Sequence, residues 1–428
     1  MATTKSAKKK HPPKHHKPVH KKPPVIGPVP GQPVFAQPVP SPDPSGFVDT
    51  TSDSGDYSQV DPTLLEPVPA ARGNAAEPLL TFAQTLGSAG AAAVAKIEAA
   101  GQIVFHTVGD TGNIKGPATQ SLVADKMVAD FDEADPADVP SFFFHLGDVI
   151  YNFGEGEYYY DQFYEPYREY PAPILAIAGN HDGGVYKTDP VPTLEAFLRN
   201  FCASAPAVST DAGGLSRTAQ IQPGVFFTFD APFVRILAIY SNVLEDPGVI
   251  SSEGNAASPV SDVQLAYLTA ALARCKSEKY AGAVIIAVHH PPFTFGSQHS
   301  GSPRMLQDLD EVATAAGFWP HAVISGHAHN YQRFTRLNGA TQIPYIVAGC
   351  GGHNVVKLQS GSNGAIRTPV SVSSTLTFEN YDDSDYGYMR VIVTAETLRM
   401  EYHPASDGTG AKTPDDVVTV DIKNRKVS

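Results

Sequence analysis

Between residues 102 and 349 the chain returns again and again to a short apolar run: QIVFHTV, SFFFHL, PILAIA, VRILAIY, AVIIAV, HAVIS and PYIVAG. Helix-type stretches such as TQSLVADKMVADFDEA and SDVQLAYLTAALARCKSE separate several of them. Runs this short, rich in Val, Ile and Phe, read as strands, and their alternation with helices argues for an α/β fold with a mixed or parallel sheet under helical covering. Further on, YGYMRVIVT, TLRMEYH and DVVTVDI read as antiparallel strands closing a sheet. A chain of 428 residues has room for one large core plus tails.

The ends of the strands carry the chemistry. Five runs give way at once to polar clusters: GDTG (Gly109 to Gly112), GDVIY (Gly147 to Tyr151), GNHD (Gly179 to Asp182), HHPPF from His289, and GHAHN (Gly326 to Asn330). Each cluster alone has a plain structural reading as a turn, a helix cap or a hydrogen-bonded histidine pair. Together they are harder to dismiss. Loops at the carboxyl ends of parallel strands in an open α/β sheet converge on one crevice, so strands sharing a sheet would bring acids, an asparagine, a tyrosine and several histidines together. A carboxylate such as Asp148, at the mouth of a strand as apolar as SFFFHL, needs a compensating partner. Oxygen donors mixed with imidazoles suit iron, zinc or manganese.

Charge is divided unevenly. Residues 1–42 hold eight lysines and no acid, which leaves 23 basic against 44 acidic side chains, a net of −21, for the rest. An acidic body does not advertise nucleic-acid binding. The lysine-, histidine- and proline-rich start, with His11, His15, His16 and His20, reads as a disordered cationic arm that could contact polyanions. The expected division is an arm and linker over 1–75, a helical lead-in over 76–100 and a catalytic domain over 101–428. No apolar run follows the first charges as in a secretory signal, and no stretch approaches the roughly 20 apolar residues of a membrane span. The expectation is a soluble chain, cytoplasmic by default, with export left open. Cys202, Cys275 and Cys350 are too scattered for a disulfide framework or a thiolate site, and read as buried free thiols.

The ordered set Asp110-Thr111-Gly112, Gly147-Asp148-Val149-Ile150-Tyr151, Gly179-Asn180-His181-Asp182, Ile286-Ala287-Val288-His289 and Gly326-His327-Ala328-His329 resembles the signature of purple acid phosphatases within the calcineurin-like metallophosphoesterases. The likeness spans about residues 101–405 and is to the compact members. It departs only in Ile286, where the family writes valine. It implies a four-layer α/β/β/α sandwich of two mixed sheets covered by helices. It also implies hydrolysis of phosphate monoesters by a metal-bound hydroxide at a binuclear centre. Asp110, Asp148, Tyr151 and His329 would hold the first metal, Fe(III). Asp148, Asn180, His289 and His327 would hold the second, which is Fe(II), Zn or Mn. Many relatives place a histidine where Gly112 stands; Tyr151, three residues after Asp148, is the donor that replaces it.

By the same resemblance His181 lies beside the metals without ligating them and can stabilise phosphoryl charge or donate a proton, Asp182 would orient it, and His299 would be a second flanking histidine. His290, His106 and His145 read as structural. The aromatic tract GEGEYYYDQFYEPYREY reads as a packed helical face, with a pocket wall as the alternative, and the role of GCGGHN (Gly349 to Asn354) stays open. Two other functions fit these motifs: a phosphodiesterase or nucleotide phosphatase on the same centre, or a non-enzymatic binding protein tethered to polyanions by its arm.

Overall fold

The computed structural model describes residues 60–428, apart from residues 62, 66–67, 114–115, 189–190, 255, 257–259, 297–298 and 359–365. The expected cationic arm lies outside the described residues.

Nine strands form one sheet in the order β1 (Leu79–Thr81), β5 (Phe227–Ala231), β6 (Val234–Ile239), β7 (Ala283–Val288), β8 (Ala322–Ser325), β10 (Thr341–Ala348), β9 (Tyr331–Asn338), β12 (Leu376–Asp382) and β11 (Val370–Ser373). Seven form the other, in the order β16 (Lys426–Val427), β15 (Asp416–Asp421), β14 (Thr397–Pro404), β13 (Gly387–Thr394), β2 (Gln102–Val108), β3 (Phe143–His145) and β4 (Ile174–Ala176). Both sheets are mixed. β6, β7, β8 and β10 run parallel in the first, and β2, β3 and β4 in the second. The expected C-terminal strands are β13 to β15, paired antiparallel on the flank of β2.

Phenylalanines join the layers. Phe142 meets Phe229 edge-on at 5.1 Å, and Phe144 lies 6.4 Å from Phe227, which packs the β3 run of the smaller sheet onto β5 of the larger. Strands buried on both faces need no alternation, which is why β7 reads as an unbroken apolar run and β6 as one interrupted only by Arg235. Helices α1 (Phe82–Thr85), α2 (Gly90–Ala100), α3 (Ala118–Ala129), α4 (Glu195–Phe201), α5 (Val263–Ser277) and α6 (Pro303–Ala316) complete the expected α/β/β/α layers. The start of α6 is written in the sequence: Ser302 caps it by accepting from Met305 N–H, Pro303 takes the first position, and Gly317 ends it in the left-handed region at φ 64°. That fixed start holds the preceding loop, which carries His299.

Two boundaries differ from expectation. The linker reading for residues up to 75 does not hold from Val60 onward: Val60 bridges to Tyr186, Leu65 is buried, and the Arg72 guanidinium donates to the carbonyls of Ala203 and Gln222 at 2.8 and 2.9 Å. The helical lead-in also contains a strand, β1, whose three residues pair parallel with β5. Among the described residues no helix is long and apolar enough to cross a membrane, and the three cysteines are free and buried.

Candidate metal centre

Three neighbouring parallel strands of one sheet and two of the other end at the same place. β2 delivers Asp110, β3 delivers Asp148 and Tyr151, β4 delivers Asn180 and His181, β7 delivers His289, and β8 delivers His327 and His329. All are buried. Asp110, Asp148 and His327 have φ of 58°, 51° and 67°, a left-handed conformation in which Asp and His are over-represented but which costs about 1–3 kcal/mol where the fold imposes it. Such turns swing the side chain back over the strand end. Packing around them is tight: a Cβ on Gly179 would stand 2.1 Å from Asp148 Oδ1, and one on Gly147 would stand 2.6 Å from His289 Nδ1.

The first donor set is compact. The Tyr151 hydroxyl lies 3.0 Å from Asp148 Oδ2, 3.4 Å from Asp110 Oδ1 and 3.2 Å from His329 Nε2, and His329 Nε2 lies 3.6 Å from Asp110 Oδ1. Donors held about 2.0–2.2 Å from one ion stand roughly 3.0–3.5 Å from each other, so these separations fit the edges of one coordination shell. Gly112 makes room for it: a Cβ there would meet Gln162 Oε1 at 2.4 Å and the Val149 carbonyl at 2.6 Å. The expected exchange of a histidine for Tyr151 therefore has a steric basis, since Tyr151 and the Gln162 that accepts its N–H at 2.8 Å fill the space.

In the second set, His289 Nδ1 donates to the Leu146 carbonyl at 2.7 Å. Nε2 then faces the buried carboxylates, Asp148 Oδ2 at 3.2 Å and Asp110 Oδ1 at 3.9 Å. A lone pair aimed at buried carboxylates is repulsive unless a cation or proton lies between. His327 Nδ1 stands 3.1 Å from Asn180 Oδ1, again a coordination-edge distance. One donor atom each from Asp148, His289 and His327 fall within 4.8 Å of one another. A second such trio, Asp246, His299 and His327, shares His327.

Burial and mutual proximity shift the titration of Asp110, Asp148, His289 and His327. Burial, and then the Asp148 charge, push Asp110 well above the carboxylate range. Burial would raise Asp148 too, but His289 and His181 hold it far down. Burial would lower His289, yet Asp148 and Asp110 pull it up to about 9. Burial and then the imidazoles of His290, His299, His289 and His329 push His327 well down, which keeps it a neutral donor. The seven residues thus fit a pair of cations by geometry, lone-pair direction and charge.

Of the flanking residues, His181 packs against Tyr151 at 4.2 Å and Phe153 at 5.7 Å, and its Nδ1 donates to the Asn152 carbonyl. Asp182 does not take the orienting role expected of it. Its carboxylate accepts from the N–H groups of Gly179, Val149 and Ile150 at 2.8 to 3.2 Å and staples the Asp148 loop to the Asn180 loop. His299 does reach the centre, 4.6 Å from the His327 ring and 4.8 Å from that of His329. His290 is held by Ser241 Oγ and the Leu244 carbonyl, His106 by Tyr170 and Asp130, and His145 by Thr111, the structural roles expected of them. The aromatic tract is core, with Tyr159, Phe163, Tyr164, Tyr167 and Tyr170 buried. Sequence reasoning passed over Gln162, within that tract, and His353, whose ring stacks on Tyr151 at 3.7 Å.

Residues 106–331 match the calcineurin-like phosphoesterases, and the chain belongs to that family. Membership implies metal-dependent hydrolysis of phosphoesters with two divalent ions. Among solved structures the chain is similar to "GAP50 the anchor in the inner membrane complex of Plasmodium", with a TM-score of 0.51 and 16% identity over 76% of this chain and 90% of that one. It is also similar to PhoD (TM-score 0.44, 15% identity, 76% and 71% covered) and to a dimetal phosphatase from Danio rerio (TM-score 0.44, 11% identity, 75% and 99% covered). At such identities the likeness is one of fold. No curated protein matches the chain in sequence.

Proposed function

We propose that this chain is a binuclear phosphate monoester hydrolase of the purple acid phosphatase type, with iron held by Asp110, Asp148, Tyr151 and His329, and a second ion held by Asp148, Asn180, His289 and His327. The observation that carries the proposal is the hydroxyl of Tyr151 set within 3.4 Å of Asp110, Asp148 and His329, where a hard anionic phenolate donor favours a trivalent ion. A fold of this kind also occurs in a protein described as a membrane-complex anchor, so the donor set and not the fold supports the enzymatic reading.

Bound there, the ions supply Lewis acidity toward phosphoryl oxygens and lower the pKa of water. The rest falls to the protein. His181 and His299, outside the donor set, offer imidazoles to the terminal phosphoryl group, whose second negative charge a monoester has and a diester lacks. His181 Nδ1 is committed to the Asn152 carbonyl, so Nε2 is the atom that can pass a proton to the departing oxygen. The test is a panel of p-nitrophenyl phosphate, its bis-ester and cyclic nucleotides. Turnover is expected to be highest on the monoester; negligible monoester turnover beside rapid cleavage of the bis-ester would move the chain to the phosphodiesterases.

Metal uptake should also release protons. His289, at about 9 in the metal-free protein, is protonated at pH 7 and must surrender its Nε2 proton to become a ligand. Titration calorimetry at pH 7 in buffers of different ionisation enthalpy is expected to show at least about one proton released per protein. Loading therefore weakens as pH falls. A binding heat independent of buffer would remove His289 from the donor set.

A further inference from the structure

The loop after β10, GCGGHN, lies flat on the loop that carries Asp110. Gly109 N–H donates to the Ala348 carbonyl at 2.9 Å, Gly351 N–H to the Gly109 carbonyl at 3.1 Å, and His353 N–H to the Asp110 carbonyl at 2.9 Å. The glycines permit this approach: a Cβ on Gly351 would stand 2.5 Å from the Gly109 carbonyl oxygen, and one on Gly352 2.6 Å from that of Thr111. The His353 side chain then repeats what its backbone does. Nδ1 donates to the Gly112 carbonyl at 2.8 Å, so the residue grips the Asp110–Gly112 loop at both N–H groups. So held, its ring lies parallel to that of Tyr151, with centroids 3.7 Å apart and planes within 7°, and stands edge-on to His329 at 4.8 Å. The imidazole is 2% exposed.

A phenol has one soft internal rotation that matters here, the turn of its ring about the Cβ–Cγ bond, and this torsion is broad when nothing packs on the ring. Gln162 fixes only the backbone of Tyr151, accepting its N–H at 2.8 Å and donating to its carbonyl at 2.6 Å. The ring plane is fixed by what stacks on it. We infer that His353 is a positioning residue: pinned to the Asp110–Gly112 loop at both ends, its imidazole forms the flat wall that sets the plane of the Tyr151 ring, and with it the direction in which the in-plane lone pairs of the phenol oxygen point among Asp110, Asp148 and His329. The inference rests on the reading of Tyr151 as a metal donor and deepens it, because it ties the aim of that donor to a residue on a different loop.

The test uses the full chain with three substitutions. His353→Phe keeps a flat face, His353→Asn keeps a donor for the Gly112 carbonyl without one, and His353→Ala removes both. In metal-free protein carrying 3-fluorotyrosine, the Tyr151 resonance is identified by its loss in Tyr151→Phe. It is expected to shift in His353→Ala and His353→Asn and to stay close to its original place in His353→Phe. In iron-loaded protein, the visible phenolate-to-iron absorption should follow the same order, and iron should be lost about 10-fold faster from His353→Ala and His353→Asn, the low end for groups that orient ligands. If His353→Ala does not accumulate as folded protein, the contrast between His353→Phe and His353→Asn decides. A coloured wild type whose variants match it in absorption and iron retention overturns the role of His353 alone. A colourless wild type with stoichiometric iron overturns Tyr151 as a donor and the role of His353 with it.

Discussion

Asp148→Asn is expected to leave a folded protein that holds neither ion at stoichiometry and turns over substrate at least about 10³-fold more slowly. Its two oxygens have different tasks, one held by the backbone and one facing members of both donor sets. Oδ1 accepts the His181 N–H at 2.9 Å, and Oδ2 lies 3.0 Å from the Tyr151 hydroxyl and 3.2 Å from His289 Nε2. An amide can keep the first contact, because its oxygen still accepts. It cannot keep the second, where an NH₂ group would point its protons at the positions of the donors and the negative charge would be gone. The comparable cost of removing one preorganised electrostatic group at a reacting centre is about 10²–10³, and here one carboxylate serves both sets, so the loss is at or beyond that range. Metal analysis and thermal melting separate this from misfolding. Wild type should gain stability from added metal by mass action, and the variant should melt at one temperature with or without it. A variant that retains two ions and a metal-dependent melt would show that Asp148 does not join the sets.

The arrangement around Asp148 was legible because strand ends announce themselves locally. QIVFHTV is β2 residue for residue, and the apolar runs before Asp148, His289 and His327 are buried throughout. What the runs could not show is which sheet each strand joins. The parallel strands divide between two sheets, β2 to β4 in one and β7 and β8 in the other, so the crevice lies between sheets and not along one. β9, read as YQRFTRLN, was missed because its buried positions include Gln332 and Thr335 as well as Tyr331 and Phe334, and the polar members hide the strand. β1 is three residues inside a stretch of helical composition, and its pairing with β5 is a tertiary fact.

The candidate site divides the same way. Tyr151 and Gly112 could be paired only through the family resemblance, in which many relatives place a histidine where Gly112 stands. His353 had only the glycines before it as a signal, and those mark a close approach without saying to what. Gln162 sits in a tract of tyrosines whose neighbours are core, and its turn is unusually wide, with Glu165 N–H reaching back to the Tyr160 carbonyl. Widened turns of this sort recur at functional sites because they re-aim one side chain. Asp182 misled because a carboxylate beside a histidine suggests an orienting pair. Three backbone N–H groups within reach were the stronger claim on it.

His181→Ala is expected to keep both ions and lose turnover by about 10²–10⁴-fold, with the loss depending on the leaving group. The substitution spares the His181 backbone N–H that Asp148 accepts, so the donor sets keep their framework. It removes the imidazole whose Nδ1 is held by the Asn152 carbonyl and whose Nε2 is proposed to carry the proton outward. It also removes the packing against Tyr151 and Phe153, which melting in the presence of metal will report separately from activity. A leaving oxygen that is already stable as an anion needs little help, so p-nitrophenyl phosphate should suffer least. An alkyl phosphate, whose alkoxide must be protonated as the bond breaks, should suffer most. Measured across a series of aryl and alkyl monoesters, the rate of the variant should fall more steeply with leaving-group pKa than that of wild type. Parallel slopes with a uniform loss would assign His181 to stabilising phosphoryl charge and place proton donation elsewhere, with His299 as the next residue to replace.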